Sequence, residues 1–133
     1  MPNSYLKSLY TKVDQAVKKT NTFIDFLETN IKSLSFSPNE TEHNLEFNAY
    51  CDLLSDIKNA AKTPPAHNNR DIQFITTQLE EMPELSANDF KLHSSLPIFG
   101  IMKLRRIASL IKKLREIDVK LQAAAFSLNM NIR

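Results

Sequence analysis

Apolar side chains recur at alternating spacings of four and three residues over the first quarter of the chain. The series has one position without a hydrophobic residue, which is occupied by Thr20. Its members are Leu6, Tyr10, Val13, Val17, Ile24, Leu27, Ile31 and Leu34, flanked by Leu9, Ala16 and Phe23. A heptad series of this length predicts a helix over about residues 3–34. The flanking residues widen the stripe, which favours contact with two neighbouring helices.

A second helix is predicted between a capping sequence and a pair of prolines. Ser37, Pro38 and Glu40 have the spacing of a helix start, with a serine N-cap, a proline at the first helical position and a glutamate that closes a capping box. The helix is predicted to extend to about Lys62. Residues 63–65, which include two prolines, end it because proline cannot continue the backbone hydrogen-bond ladder.

Pro83 interrupts the third helical segment. The apolar spacing predicts a helix over about residues 71–82 and a shorter helical piece over residues 86–94, which together form one broken arm. The last helix is predicted from near Pro97 to about Leu128. Its apolar stripe consists of Ile107, Leu110, Leu114, Ile117, Leu121, Ala124 and Leu128.

These segments predict an all-α fold with a single domain over residues 1–133. We expect an antiparallel helical bundle of about four segments, in which two long helices flank a shorter helix and the arm broken at Pro83. Glycine occurs once in the chain. Sandwiches, barrels, dinucleotide-binding folds and phosphate-binding loops need glycines at positive φ, so the composition argues against these folds and the enzymes built on them.

No targeting or membrane segment is visible in the sequence. The first 20 residues carry four lysines, which leaves no apolar core for a signal peptide. No apolar run approaches the roughly 20 residues that span a bilayer. The single cysteine, Cys51, has no partner for an internal disulfide. We therefore expect a soluble protein that is cytoplasmic or delivered to a host cytosol.

Charge is distributed unevenly along the chain, with an acidic middle and a basic final helix. The net charges of residues 1–34, 35–69, 70–97 and 98–133 are +2, −3, −3 and +6. On a helical wheel, five basic residues of the last helix share one sector. They are Arg105, Arg106, Lys112, Lys113 and Lys120. This sector predicts either a surface for an anionic membrane or nucleic acid, or a solvated face that pairs with the acidic middle segments.

Three aromatic residues of the first helix lie off its apolar seam or at the edge of the seam. They are Tyr5, Phe23 and Phe26. Exposed aromatic side chains are typical of protein contacts, so they predict a surface for another protein or for a homo-oligomer. The alternative is that another helix of the same bundle covers them.

Asp118 is an acidic residue on the apolar side of the last helix, among Leu114, Leu121 and Ala125. An ionised carboxylate in a core is unfavourable unless it is paired or hydrogen-bonded. The residue is interpreted either as a buried switch or ligand, or as a flank position with partial solvent access that pairs with a lysine or hydroxyl of a neighbouring helix.

Catalytic and metal-binding patterns are weak. Residues 40–43 form a single Glu-x-x-His sequence, whereas di-iron bundles use two. Cys51 and His43 lie eight residues apart on one helix, too far for a nucleophile pair, and we expect Cys51 to be an inert, half-buried residue. Ser109 follows a basic residue at kinase-like spacing but is expected to be poorly accessible.

These patterns predict no metal, no cofactor and no enzymatic activity. The predicted function is that of a helical-bundle protein that acts through protein–protein contacts, as an adaptor, a regulator or a secreted effector-like module. The alternative is binding of an anionic membrane or nucleic acid through the basic last helix.

Overall fold

The computed structural model describes residues 2–33, 40–62, 70–90 and 100–132, and these residues form five helices. The helices are α1 (Pro2–Ser33), α2 (Glu40–Lys62), α3 (Arg70–Glu80), α4 (87–90) and α5 (Gly100–Ile132). No strand occurs within these ranges. The all-α prediction is therefore confirmed.

The predicted helix bounds that can be compared agree with the structure to within two residues, except that α5 extends to Ile132, four residues beyond its predicted end at about Leu128. α1 begins and ends one residue earlier than predicted, and α2 ends at Lys62 as predicted. The predicted capping residues Ser37 and Pro38, and the predicted start of the last helix at Pro97, lie outside the described residues.

The arm bends around Pro83. α3 ends at Glu80, where the amide of Glu81 still donates to the carbonyl of Thr77 at 3.0 Å. α4 then begins with a cap that was not predicted from the sequence. Asp89 Oδ2 accepts a hydrogen bond from the backbone amide of Ser86 at 2.8 Å, which is one of the two bonds of a capping box. The arm is thus interrupted at Pro83, and its second helix, α4, begins at a defined cap.

α1 runs antiparallel to both of the long helices beside it. Against α2, Tyr5 pairs with Ala60 and Thr20 pairs with Tyr50. The residue numbers increase along α1 while those of their partners decrease along α2. Against α5, Asn21 pairs with Asp118 and Glu28 with Arg115, again in opposite order. The predicted antiparallel bundle is therefore confirmed for these neighbours.

The arm closes the fourth side of the bundle. Glu81 pairs with Lys120 and Asp89 with Lys113, so the arm also runs antiparallel to α5. α3 packs against α2 and α5, while no diagonal contact joins α1 to α3 or α2 to α5 in the described ranges. The helices therefore follow one another around a four-sided bundle.

The predicted apolar stripes form the core. The largest fully buried side chains come from all four sides and include Val13, Leu27, Phe47, Tyr50, Ile57, Ile75, Leu79, Ile107, Leu114, Ile117, Leu121 and Leu128. Burying each large apolar side chain contributes about 1.5–3 kcal/mol. Phe90, from the arm, enters the core and stacks on Phe47 with ring centroids 4.8 Å apart. The short arm is thus anchored by an aromatic ring.

Candidate interaction surface on α5

The five basic residues predicted to act together on α5 fall into two groups. Arg105, Arg106 and Lys112 are exposed and have no ion-pair partner among the side chains that the structure describes. Lys113 and Lys120 are only partly exposed, and acidic residues of the arm neutralise them. Lys113 Nζ lies 3.5 Å from an oxygen of Asp89, and Lys120 Nζ lies 2.7 Å from an oxygen of Glu81. The alternative of pairing with the acidic middle of the chain therefore holds for two of the five.

The aromatic contact surface predicted on α1 is not an open surface. Phe23 is buried, with an exposed fraction of 5%, and its ring meets that of Phe47 edge-on at 5.2 Å. Phe26 is half-buried beside Phe90, with ring centroids 6.4 Å apart. Tyr5 is also half-buried, and its hydroxyl donates to the carbonyl of Ala60 at 2.7 Å. Other helices of the same chain thus cover Phe23 and partly cover Tyr5 and Phe26, as the alternative expected. A protein contact through these residues stays a prediction.

Asp118 occupies a flank position between α5 and α1. The side-chain amide of Asn21 donates to Asp118 Oδ1 at 3.0 Å, and that of Gln122 donates to Asp118 Oδ2 at 2.8 Å. The carboxylate remains partly exposed to solvent. The interpretation as a partly exposed, paired residue is correct, although the partner is an amide rather than a lysine or hydroxyl.

A row of apolar side chains on α5 points away from the core. Val119, Phe126 and Met130 have exposed fractions of 66%, 71% and 59%. Ala123 lies between them and is partly exposed. We call these four residues the outer seam, because their spacings of four, three and four residues follow a heptad pattern. The seam extends about 17 Å along the helix at about 1.5 Å per residue.

The outer seam lies opposite the buried seam of the same helix. Ile117, Leu121, Ala124 and Leu128 face the core with exposed fractions of 0%. The second half of α5 therefore carries a heptad pattern on each of two opposite sides, and the core occupies only one of them. The outer seam was not predicted from the sequence, where the buried stripe and the basic sector were the patterns considered. The signal was present as the same alternation of four and three.

Toward the start of α5, the line of the outer seam becomes polar and charged. Going back from Val119 with the same spacing, it passes through Glu116, Lys112 and Arg105, and all three are exposed. Ser109, on the same side, is also exposed, so the expectation that it is poorly accessible is wrong. One side of α5 thus presents polar side chains, two of them basic and one acidic, before Val119 and apolar side chains from Val119 onward.

A cleft of about 330 Å³ lies between α2 and the arm. It is lined by Cys51, Lys58 and Met82 among others, and Lys58 Nζ donates to the carbonyl of Met82 at 2.8 Å. Cys51 is buried rather than half-buried, and burial raises the pKa of its thiol to about 12. The thiol is protonated at neutral pH, which is consistent with the expected inert residue.

No cluster of His, Cys, Asp or Glu side chains with the spacing of a metal site occurs among the described residues. The side chains of His43, His67 and His93 lie outside them, so the expected absence of a metal stays a prediction. None of the described helices contains a stretch long and apolar enough to cross a membrane.

No known protein family, curated protein or solved structure matches this chain.

Proposed function

We propose that this chain is a non-enzymatic helical-bundle module that binds another protein through the outer seam of α5. The observation that carries the proposal is the exposure of Val119, Phe126 and Met130, each more than half exposed, in one line on a helix whose opposite side is fully buried. An adaptor, a regulator or a secreted effector-like module would each use such a surface.

The energetics of the outer seam favour a protein contact. Single exposed apolar residues are normal on a protein surface, whereas a contiguous row of them is typical of an interaction site. Covering Val119, Phe126 and Met130 would contribute about 1.5–3 kcal/mol each if burial were complete. The heptad spacing of the row suits a partner helix, whose side chains would insert between those of the seam.

The experiment compares the partners captured by the wild-type protein and by seam variants. Phe126→Ser and Val119→Ser remove exposed apolar groups, so the fold is expected to persist and the main binding partner to be lost. Phe74→Ser and Leu45→Ser are matched controls, because Phe74 on α3 is 46% exposed and Leu45 on α2 is 66% exposed, as Val119 is. If the seam variants capture the same proteins in the same amounts as these controls, the proposal is wrong.

A second candidate function is reversible binding of an anionic surface by the first half of α5. The observation that favours it is the exposure of Arg105, Arg106 and Lys112 without ion-pair partners among the described side chains. Each basic side chain near an anionic membrane contributes about 1 kcal/mol, so three would give weak binding that salt weakens further. Lys113 and Lys120 would add less because Asp89 and Glu81 already pair with them.

Co-sedimentation with vesicles tests this candidate. Binding is expected to anionic vesicles and not to neutral ones, at low salt more than at physiological salt, and to be lost in the Arg105→Glu/Lys112→Glu double variant. Lys7→Glu/Lys19→Glu on α1 changes net charge equally at two exposed positions and serves as the control. Duplex DNA, assayed in parallel, separates a nucleic-acid surface from a membrane surface. No binding to either at low salt would eliminate this candidate.

A further inference from the structure

We infer that the outer seam packs against the outer seam of a second copy of this chain, antiparallel, about a two-fold axis that passes between Ala123 and Phe126. The inference rests on the proposed function, since it assigns the occupant of the same surface. Two-fold pairing is the commonest symmetry of protein assemblies and requires a surface that is complementary to itself.

The sizes of the seam residues meet that requirement. With the axis between Ala123 and Phe126, Ala123 faces Phe126 of the second copy, and Val119 faces Met130 of the second copy. The small Ala123 thus lies opposite the large ring of Phe126, and the medium-sized Val119 lies opposite the flexible side chain of Met130. Interdigitation of this kind fills the space between two helices without voids or overlap. The pattern is symmetric, so both copies make the same contacts.

Charge selects the antiparallel direction. In a parallel pair, each Lys112 and each Arg105 would lie opposite its own counterpart, and these exposed cations would repel one another. In the antiparallel pair, the two Lys112 positions are separated by about 38 Å, from 25 helical rises of about 1.5 Å. This distance is several times the screening length of about 8 Å at physiological salt.

The residues beside the seam also permit the pairing. Gln122 and Asn129 border it on one side and carry no charge, and Arg115, on the same side beside Val119, is paired with Glu28. On the other side, Lys120 is already paired with Glu81 at 2.7 Å. No uncompensated like charges therefore meet across the axis next to the apolar residues.

The seam is short, and interfaces that bury less than about 1,200 Å² in total are weak or transient. The expected pair is a reversible dimer with a dissociation constant on the order of micromolar or weaker.

The first experiment measures the sedimentation of the intact chain across a concentration series. Wild-type protein is expected to associate reversibly to a dimer. Phe126→Ser is expected to weaken the association at least tenfold, and Phe74→Ser to leave it unchanged. Ala123→Phe places two rings opposite each other and is also expected to weaken it. Because Phe126 is 71% exposed, the folded state of the variant can be verified by its helical circular dichroism.

The second experiment determines the direction of the pair. A spin label on Lys112→Cys, in a Cys51→Ala background, is expected to give inter-label distances centred near 38 Å, broadened by the label arms, whereas a parallel pair would bring the labels close together. A short distance would overturn the antiparallel arrangement. Dimerisation unaffected by Phe126→Ser would overturn the assignment to the outer seam.

A strictly monomeric wild-type chain would overturn this inference without touching the proposed function, if the seam variants still lose a different captured protein. If the wild-type chain dimerises and no other protein depends on the seam, the second copy is the only seam partner found and the proposed function narrows to self-association. The two proposals therefore fail on different measurements.

Discussion

The hydroxyl oxygens of Thr20 and Tyr50 lie 2.6 Å apart at the one position where the apolar seam of α1 lacks a hydrophobic residue. Both side chains are fully buried. Thr20 Oγ1 also lies 2.6 Å from the carbonyl oxygen of Ala16, which can only accept a hydrogen bond. Thr20 therefore donates to Ala16, and Tyr50 donates to Thr20. Burial raises the pKa of Tyr50, so its hydroxyl keeps the proton that it donates.

This order of donors predicts unequal effects of removing the two hydroxyls. Thr20→Val leaves the hydroxyl of Tyr50 buried without an acceptor, which should lower the free energy of unfolding by about 2 kcal/mol. Tyr50→Phe leaves Thr20 bonded to Ala16 and should lower it by about 1 kcal/mol. Urea unfolding of both variants measures the difference.

The double variant Thr20→Val/Tyr50→Phe provides the control. Its loss of stability should be smaller than the sum of the single losses, because Tyr50→Phe removes the hydroxyl that Thr20→Val leaves unpaired. Additive losses would contradict the proposed bond.

Stability is expected to decline in alkaline solution. Burial raises the pKa of Cys51 from 9.0 to about 12, with Asp89 and Asp52 acting in the same direction, and burial also raises the pKa of Tyr50. Above pH 9, unfolded chains release protons that folded chains retain. The stabilisation is therefore complete below the unfolded pKa values and declines as pH rises through them, by up to about 1.4 kcal/mol per pH unit for each group.

Urea midpoints measured from neutral to strongly alkaline pH test this expectation. Cys51→Ala should show a shallower decline that starts at higher pH, because only the tyrosines then contribute. A decline with the same onset and slope in Cys51→Ala would show that the thiol does not contribute.

The arm is expected to be held by its aromatic ring more than by its ion pairs. Phe90 contacts Phe23 and Phe47 in the core, and replacing a buried phenylalanine with alanine lowers stability by about 3–5 kcal/mol. Glu81, which pairs with Lys120, is 54% exposed at its side chain, and Glu81→Gln should change stability by less than about 1 kcal/mol. Hydrogen exchange of residues 83–90 measures both. Comparable acceleration in the two variants would contradict this ranking.

The two sides of α5 can be distinguished by placing a charge on each. Leu114 is fully buried, so Leu114→Asp should unfold the bundle or leave it without fixed packing. Lys112 is exposed, and Lys112→Glu should change stability by about half a kcal/mol or less. Near-ultraviolet circular dichroism and thermal unfolding report the outcome. Equal damage from both changes would mean that the side of α5 assigned to solvent is wrong.

The heptad spacing was sufficient to predict the long helices and the residues that they bury, because each stripe reflects only the local geometry of one helix. Thr20 illustrates the limit of this reasoning. The sequence identified it as a gap in the seam, whereas its pairing with Tyr50 depends on the relative position of α1 and α2.

The burial of the aromatic residues of α1 could not be predicted from that helix alone, for a related reason. A helical wheel ranks Phe26 as remote from the seam, but it does not include Phe90, which reaches that side of α1 from the arm. The basic sector of α5 also depends on the arm. Glu81 and Asp89 of the arm pair with Lys120 and Lys113, and with no other residue of the sector among the described side chains. The outer seam, by contrast, was visible in the spacing from Val119 to Met130 and needed only an examination of the side opposite the core.

The hydrogen bonds of the two tyrosine hydroxyls between α1 and α2 also determine which structural change the tyrosine fluorescence of the chain detects. The chain contains three tyrosines and no tryptophan, so tyrosine is its intrinsic fluorophore. The hydroxyls of Tyr5 and Tyr50 both bond across the boundary between α1 and α2, and Tyr10 packs beside that core on α1. A separation of these two helices should therefore change the emission, whereas a partner bound to the far side of α5 should leave it almost constant.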